Sequence, residues 1–248
     1  MHNAAFRALG LDWRYLKLPI PPERFAETVR ALPASGYRGL NVTIPHKLAA
    51  LELADEASEA AHAIGAANTL TLANGRIAAD NTDAPGLLDA LGEPPAGRAL
   101  VLGAGGAARA AAWALKRVGA DVLVWNRTRE RAEELARELA VRAVPEPTAA
   151  DLIVNATSVG LDPAMTEDQA VQELGLSTVD RRPSTVIDLV YRADASTPPI
   201  TSWASRAGAR VVDGLEVLVR QGARSFELWT GREAPLDVMR EAARRGAS

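Results

Sequence analysis

An apolar run in the middle of the chain stops on glycines and resumes at once with helical spacing. Ala99-Leu100-Val101-Leu102 reads as a buried strand, Gly103-Ala104-Gly105-Gly106-Ala107-Ala108 as a tight turn opening a helix, and Val122-Leu123-Val124-Trp125 as a second strand. From Arg98 onward strand and helix keep alternating. Further strands are predicted at 151–155, 185–189 and 210–212, with a helix at 201–207. This alternation predicts a doubly wound parallel sheet. Two amphipathic helices follow, at 215–228 and 235–245.

The first part of the chain has shorter elements. Residues 2–9 have helical spacing, and 13–18 read as a strand stopped by Pro19, Pro21 and Pro22. A helix is predicted at 25–32, a short buried strand at 39–43 ending at Pro45, and one long helix at 48–63. Strands at 69–72 and 76–79 flank Asn74-Gly75, a strong hairpin signal. A short helix at 87–91 and a connector at 92–97 lead into the glycine turn. The predicted fold is therefore α/β with two α/β domains: a first domain from residues 1–84, completed by returning C-terminal helices at 215–248, and a Rossmann-like domain at 85–214. Polar groups at strand ends would line a cleft between them.

Composition narrows the functional classes. An apolar fraction of 48% suits an ordinary core, and no run of eighteen apolar residues occurs, so no spanning helix is expected. A net charge of −3, with arginines interleaved with glutamates, gives no reason to expect a nucleic-acid partner. The opening Met1-His2-Asn3-Ala4 lacks a basic, apolar leader, which points to the cytoplasm. The absence of cysteine excludes disulfides, thiolate metal sites and a cysteine nucleophile, and the three histidines lack metal-ligand spacing.

The glycine turn carries the first chemistry. Glycines let the backbone approach a pyrophosphate, and N–H groups at the helix start face the anion. The second strand ends in Asn126-Arg127-Thr128, where an NAD site usually places Asp or Glu. An arginine there suits a 2′-phosphate, so the expected cofactor is NADP(H). The first region supplies three polar clusters in apolar surroundings. Asn41 and Thr43 alternate along a strand end and point to one side, Lys47 follows a proline turn, and Asn68 and Asn81-Thr82-Asp83 come after. A lysine and a carboxylate brought together can bind a hydroxyl and pass a proton when a carbonyl is reduced. Each residue also has a plain reading: Lys47 as a surface lysine, Asp83 as a cap for a helix near Pro85, Gln221 as an ordinary helix residue, and His46 facing away.

Nine motifs occur in order from one end of the chain to the other. They are Asn41-Val42-Thr43-Ile44-Pro45-His46-Lys47, Gly65-Ala66-Ala67-Asn68-Thr69, Asn81-Thr82-Asp83, Gly103-Ala104-Gly105-Gly106-Ala107, Asn126-Arg127-Thr128, Asn155-Ala156-Thr157-Ser158, Asp188-Leu189-Val190-Tyr191, Asp213-Gly214-Leu215 and Gln221-Gly222-Ala223. With them the chain resembles the shikimate dehydrogenase family, NADP-dependent oxidoreductases of aromatic amino-acid biosynthesis. The resemblance implies reversible NADPH-dependent reduction of 3-dehydroshikimate to shikimate, with small-molecule partners only and a monomer or homodimer. It implies that Lys47 and Asp83 are the catalytic pair, and that Asn41, Thr43, Asn68, Asp83 and Gln221 bind substrate with Tyr191 nearby. By the same resemblance Gly103, Ala104, Gly105, Gly106 and Ala107 hold the pyrophosphate, Asn126, Arg127 and Thr128 the 2′-phosphate, and Thr157, Leu189 and Gly214 border the nicotinamide. The family carries a strand and a Ser-x-Ser segment ahead of the position of Met1-His2-Asn3, so the substrate domain is expected to be incomplete at its start, with 13–18 and 39–43 either side of the gap. Two alternatives follow: a quinate/shikimate dehydrogenase, or a truncated non-catalytic remnant that binds NADP.

Overall fold

The computed structural model describes residues 1–93, 97–179, 181–192, 194 and 196–246. In chain order the first lobe contains α1 (His2–Ala8), α2 (Phe25–Ala31), β1 (Gly39–Asn41), α3 (Lys47–Glu52), β2 (Glu56–Ala57), α4 (Glu59–Ile64), β3 (Thr69–Ala73) and β4 (Arg76–Asp80). β3 and β4 form the predicted hairpin, in register from Thr69 opposite Asp80 to Ala73 opposite Arg76. Asn74 and Gly75 both take positive φ, 52° and 73°, as a two-residue turn matched to strand twist requires. β1 pairs antiparallel with β3, and β2 pairs parallel with β4, giving the order β1-β3-β4-β2. Leu70 of β3 and Ile77 of β4 share a buried core with Phe25, Val29, Val42 and Leu53.

Two predicted elements of this lobe are corrected. Residues 13–18 form no strand; the segment is irregular and is clipped to α1, where Asn3 donates to the Tyr15 carbonyl (2.9 Å) and accepts from the Tyr15 N–H (2.7 Å). Trp13 and Tyr15 join an aromatic cluster with His2 and Phe6 instead of a ladder. The long helix at 48–63 is broken in two by polar side chains that offer the backbone other partners. Asp55 accepts from the Ile77 N–H at 2.8 Å, and Ser58 caps α4 by accepting from the Ala61 N–H at 3.1 Å.

The second lobe is a six-stranded sheet. Its strands are β5 (Arg98–Leu102), β6 (Asp121–Trp125), β7 (Arg142–Ala143), β8 (Leu152–Asn155), β9 (Thr185–Asp188) and β10 (Arg210–Asp213), in the order β10-β9-β8-β5-β6-β7. Every pairing in it is parallel. The direction of winding reverses between β5 and β8, the place where open α/β sheets bind ligands beyond their strand ends. Both faces are covered, which explains why the strands read as continuous apolar runs: Val101, Val124 and Val154 pack on one side and Leu100, Leu102 and Ile153 on the other.

α5 (Asp83–Leu91) leads into this sheet, whose helices are α6 (Gly106–Arg117), α7 (Arg129–Leu139), α8 (Glu167–Glu173) and α9 (Pro199–Arg206). β7 and α8 were not predicted, although Thr166 and Gln169 close a reciprocal capping box at the start of α8. The chain returns through α10 (Gly214–Thr230) and α11 (Leu236–Gly246). α10 packs on α5 so closely that a Cβ at Gly86 would lie 2.6 Å from the Gln221 backbone nitrogen. It then crosses the first sheet, where the Trp229 indole donates to the Leu70 carbonyl at 3.0 Å. Phe6 of α1, Phe226 of α10 and Met239 of α11 share one core. No helix among the described residues is long and apolar enough to cross a membrane.

Candidate active site

The turn between β1 and α3 is built by Thr43-Ile44-Pro45-His46, with the His46 N–H bonded to the Thr43 carbonyl at 2.9 Å and a cis Ile44–Pro45 bond. His46 stacks on Phe25 at 4.4 Å and its Nε2 lies 2.9 Å from the Ile20 carbonyl oxygen, a structural role that pins the start of α3. Lys47 is the first residue of that helix. Its Nζ lies 2.6 Å from Asp83 Oδ2. Asp83 is the first residue of α5, after Thr82 at the N-cap; Asn81, just ahead, accepts from the Ala84 N–H through Oδ1 at 3.2 Å while its Nδ2 donates to the Ala66 carbonyl at 2.9 Å. The plain reading of Asp83 as a cap is thereby corrected: it lies inside the first turn of α5, not at the cap position, and its carboxylate faces the lysine.

Asn68, from the segment entering β3, is buried at the centre of this arrangement. Its Nδ2 lies within reach of Asp83 Oδ1 (2.9 Å), Thr82 Oγ1 (3.0 Å) and Gln221 Oε1 (3.2 Å), while its Oδ1 accepts from the Thr82 N–H (2.7 Å). An amide nitrogen has two hydrogens for those three acceptors, so one acceptor is left with capacity to spare. The polar seam continues through Thr69 and Thr82, whose hydroxyls lie 3.0 Å apart, to Asn41, whose Nδ2 lies 3.5 Å from Thr69 Oγ1. Asn41 Oδ1 in turn accepts from the Tyr15 hydroxyl at 3.1 Å and lies 3.5 Å from Ser225 Oγ. Thr43, two residues past Asn41, is exposed and outside this network.

Tyr15 and Ser225 are members that sequence reasoning missed, and Thr82, read there as part of the Asn81-Thr82-Asp83 motif, had no role of its own. Ser225 had a signal, being one helical turn after Gln221. Tyr15 had none, because only the Asn3 clip brings it there. Burial pushes the Tyr15 hydroxyl up to about 12. Behind it His2 stacks at 4.4 Å, is almost wholly buried, and is pulled down to about 4 by that burial, against a smaller upward pull from the nearby Asn41 side chain; among the described residues neither ring nitrogen has a partner at full hydrogen-bond geometry.

The glycine turn forms a second arrangement at the end of β5. Gly103 takes φ 113°, its N–H bonds the Trp125 carbonyl at 2.7 Å, and a Cβ there would lie 2.9 Å from the Ala156 carbonyl oxygen. Ala104 and Gly105 follow, with nothing within 4 Å of the Cβ position of Gly105. Among the described residues no side chain caps α6, so the N–H groups of its first turn, including Gly106 and Ala107, are left without a side-chain acceptor. That donor set fits a pyrophosphate. Arg127, just past β6, is exposed and pairs at the surface with Glu173 at 3.2 Å. Asn126 Nδ2 donates to the Thr128 carbonyl at 2.8 Å, and Thr128 starts α7 without a side-chain cap. An exposed guanidinium beside an uncapped helix start fits a 2′-phosphate.

Three further residues stand at the ends of β8, β9 and β10. Thr157 Oγ1 donates to Asn155 Oδ1 at 2.7 Å and its methyl lies 3.3 Å from the Cβ position of Gly103. Gly214 packs against the Leu189 and Val190 carbonyls, where a Cβ would approach to 2.8 Å. Asn155 Nδ2 also donates to Asp188 Oδ1 at 2.9 Å, and burial raises the Asp188 carboxyl to about 6. Tyr191 is exposed, makes no hydrogen bond to the polar seam among the described residues, acts electrostatically on Tyr15, and lines a cavity of about 290 Å³ with Arg192, Thr201 and Gly214.

Three family descriptions match successive parts of the chain: the shikimate dehydrogenase substrate binding domain over residues 1–70, shikimate / quinate 5-dehydrogenase over 90–190, and the shikimate 5'-dehydrogenase C-terminal domain over 214–244. A shikimate dehydrogenase (NADP(+)) of Methanopyrus kandleri is 45% identical over 267 residues, a match covering 98% of this chain and 88% of that protein. The chain belongs to the shikimate dehydrogenase family. Among solved structures, the family member from Thermus thermophilus, in complex with NADP(H) and shikimate, is similar with a TM-score of 0.86 and 40% identity, over 99% of this chain and 92% of that one. The ligand-free 5-ketofructose reductase of Gluconobacter sp. strain CHM43 is also similar, with a TM-score of 0.81 and 30% identity over 98% and 91% of the two chains. The two-domain α/β fold of the shikimate dehydrogenase family therefore extends over essentially all of this chain.

Proposed function

We propose that this chain catalyses the reaction for which its family is named, the reversible NADPH-dependent reduction of 3-dehydroshikimate to shikimate, in the cytoplasm as a monomer or homodimer. Residues 1–84 with 215–248 form the substrate domain and 85–214 the cofactor domain. The observation that carries the reading is the Lys47–Asp83 pair, 2.6 Å apart at the end of an uncharged seam of amides and hydroxyls. Such a seam suits a ring bearing several hydroxyls, and the charged pair suits its carbonyl.

The glycine turn would hold the pyrophosphate of NADPH, Asn126, Arg127 and Thr128 its 2′-phosphate, and Thr157, Leu189 and Gly214 would border the nicotinamide, which would supply the hydride when bound. The protein supplies the rest. Lys47 gives a proton from Nζ to the carbonyl oxygen of 3-dehydroshikimate, so that C=O, a hydride and a proton become CH–OH. Asp83 fixes the ammonium group and accepts from the substrate hydroxyl beside the carbonyl. Asn68 and Gln221 share the remaining ring hydroxyls, Asn41 and Thr43 bind the far side, and Tyr191 closes over the substrate. In the reverse direction Lys47 takes the proton back.

The test is direct. The purified chain is mixed with NADPH and 3-dehydroshikimate and the loss of reduced nicotinamide absorbance is followed, with NADH and, in the reverse direction, quinate as comparisons. Saturable turnover that favours NADPH and shikimate supports the reading. Tight NADPH binding without turnover would instead support a non-catalytic binding protein.

A further inference from the structure

We propose that the face of α6 carrying Gly106 and Arg109 is a positioning surface for Lys47, so that the helix that receives the cofactor's phosphates also sets the proton donor. This rests on the assignment of Lys47 as the proton-transfer group. Gly106 is the first residue of α6. The three heavy atoms nearest a Cβ built on it all belong to Lys47: Cδ at 3.0 Å, Cβ at 3.2 Å and Cγ at 3.6 Å. The lysine stem therefore lies across the bare backbone of the glycine turn while its head reaches Asp83. A four-carbon stem is flexible, and only contacts along its length hold it to one path.

The same face of α6 grips the other approach to the site. Arg109, three residues on, donates from Nε to the Ile64 carbonyl at 2.5 Å and pairs with Glu138. Gly65 follows Ile64 with φ 72°, and a Cβ there would lie 2.6 Å from the Arg109 guanidinium. Ala110 and Ala114 continue the face and bury against Ile64, Ala66 and Ala84. The segment held in this way leads into Asn68, and its Ala67 N–H donates to the Lys47 carbonyl at 2.8 Å. One helix thus touches the lysine stem, the turn before Asn68 and the start of α5, while its N-terminus points at the phosphate cradle.

A methyl at Gly106 would meet the lysine stem at 3.0 Å, so the stem must move by a few tenths of an ångström. Misplacing a reacting group by about 1 Å can cost roughly a hundredfold. Gly106→Ala is therefore expected to lower kcat about tenfold or more when measured at saturating NADPH, over and above any change in the Kd for NADPH, read by cofactor fluorescence, that its place in the pyrophosphate turn brings. A role confined to the phosphate would raise that Kd and leave saturated kcat intact, which would overturn the proposal.

The double variant isolates the contact. In a Lys47→Ala background the stem is shortened, and Gly106→Ala should cause no further loss of kcat; losses that multiply would overturn the proposal. Arg109→Lys provides a second handle should Gly106→Ala fail to fold. It replaces the fork that holds the Ile64 carbonyl and should lower kcat without moving the Kd for NADPH; unchanged kcat counts against the proposal. Full turnover in Lys47→Ala alone would overturn the functional assignment. A slow Lys47→Ala with a full-speed Gly106→Ala would overturn only the positioning role of α6.

Discussion

Lys47 and Asn68 hold Asp83 from opposite sides, the ammonium 2.6 Å from one carboxylate oxygen and the amide nitrogen 2.9 Å from the other. The carboxylate comes from α5, the lysine from α3 and the asparagine from the entry to β3. Three elements far apart in sequence therefore fix a single polar group.

Asp83→Asn keeps the shape and removes the charge that faces Lys47. Hydrogen bonds to charged groups contribute about 1.5–3 kcal/mol, so kcat/KM for 3-dehydroshikimate should fall roughly ten- to a hundredfold. The Kd for NADPH should stay near that of the unaltered chain. Steady-state kinetics beside a cofactor titration checks both, and an equal loss in the two would place Asp83 in the scaffold.

Arg127→Ala tests the cofactor preference. Its pairing with Glu173 is a surface contact worth little to the fold, so the guanidinium is available to a ligand. Loss of a charge-assisted contact to the 2′-phosphate should weaken NADPH by about tenfold or more and leave NADH nearly unchanged. Equal effects on both cofactors would show a structural role.

Two buried groups give the stability opposite pH dependences. His2 is pulled from 6.5 down to about 4 by burial, so between those values the unfolded chain takes up a proton that the fold refuses, and acidification removes stability. Asp188 is raised from 3.8 to about 6 by burial, so the fold keeps a proton that the unfolded chain releases, and raising the pH through that window removes stability. The two effects offset each other between about pH 4 and 6. Thermal melts should therefore show a steeper acid decline in Asp188→Asn and a shallower one in His2→Phe, while Glu216, held at about 2 by Arg240 and Arg220, adds to the acid decline of all three proteins below about pH 4.5. Parallel melting profiles in all three proteins would contradict this.

Ile64→Ala probes the junction of the lobes. Ile64 is fully buried between α4 and α6, and truncation of such a side chain costs about 2–5 kcal/mol through lost burial and the cavity left behind. A denaturant midpoint lowered by an amount in that range is expected. A change under about 1 kcal/mol would mean that the junction repacks freely.

The second lobe was largely legible because its strands are buried on both faces and its turns carry glycine, so pattern and fold coincide. Its missed pieces, β7 and α8, are short and carry few apolar positions. The first lobe was harder. Asp55 and Ser58 interrupt a helical pattern by bonding backbone groups, and the clip between Asn3 and Tyr15 turns a strand-like run into an irregular segment. Lys47, Asn68, Asp83 and Gln221 were legible as motif members and do meet. Tyr15 and Ser225 join the same seam only through contacts across the fold, which no local spacing announces.

In the proposed reaction Lys47 transfers the proton while a separate lobe holds the cofactor. This division of roles is tested most directly by measuring, on one preparation of Lys47→Ala, both kcat with NADPH and 3-dehydroshikimate and the Kd for NADPH. The account predicts a kcat lowered roughly 10²–10⁴-fold, with the Kd within about threefold of the unaltered chain. A Lys47→Ala protein that retains more than about half of the original kcat would contradict it, since a general acid at the reacting carbonyl cannot be removed at so small a cost.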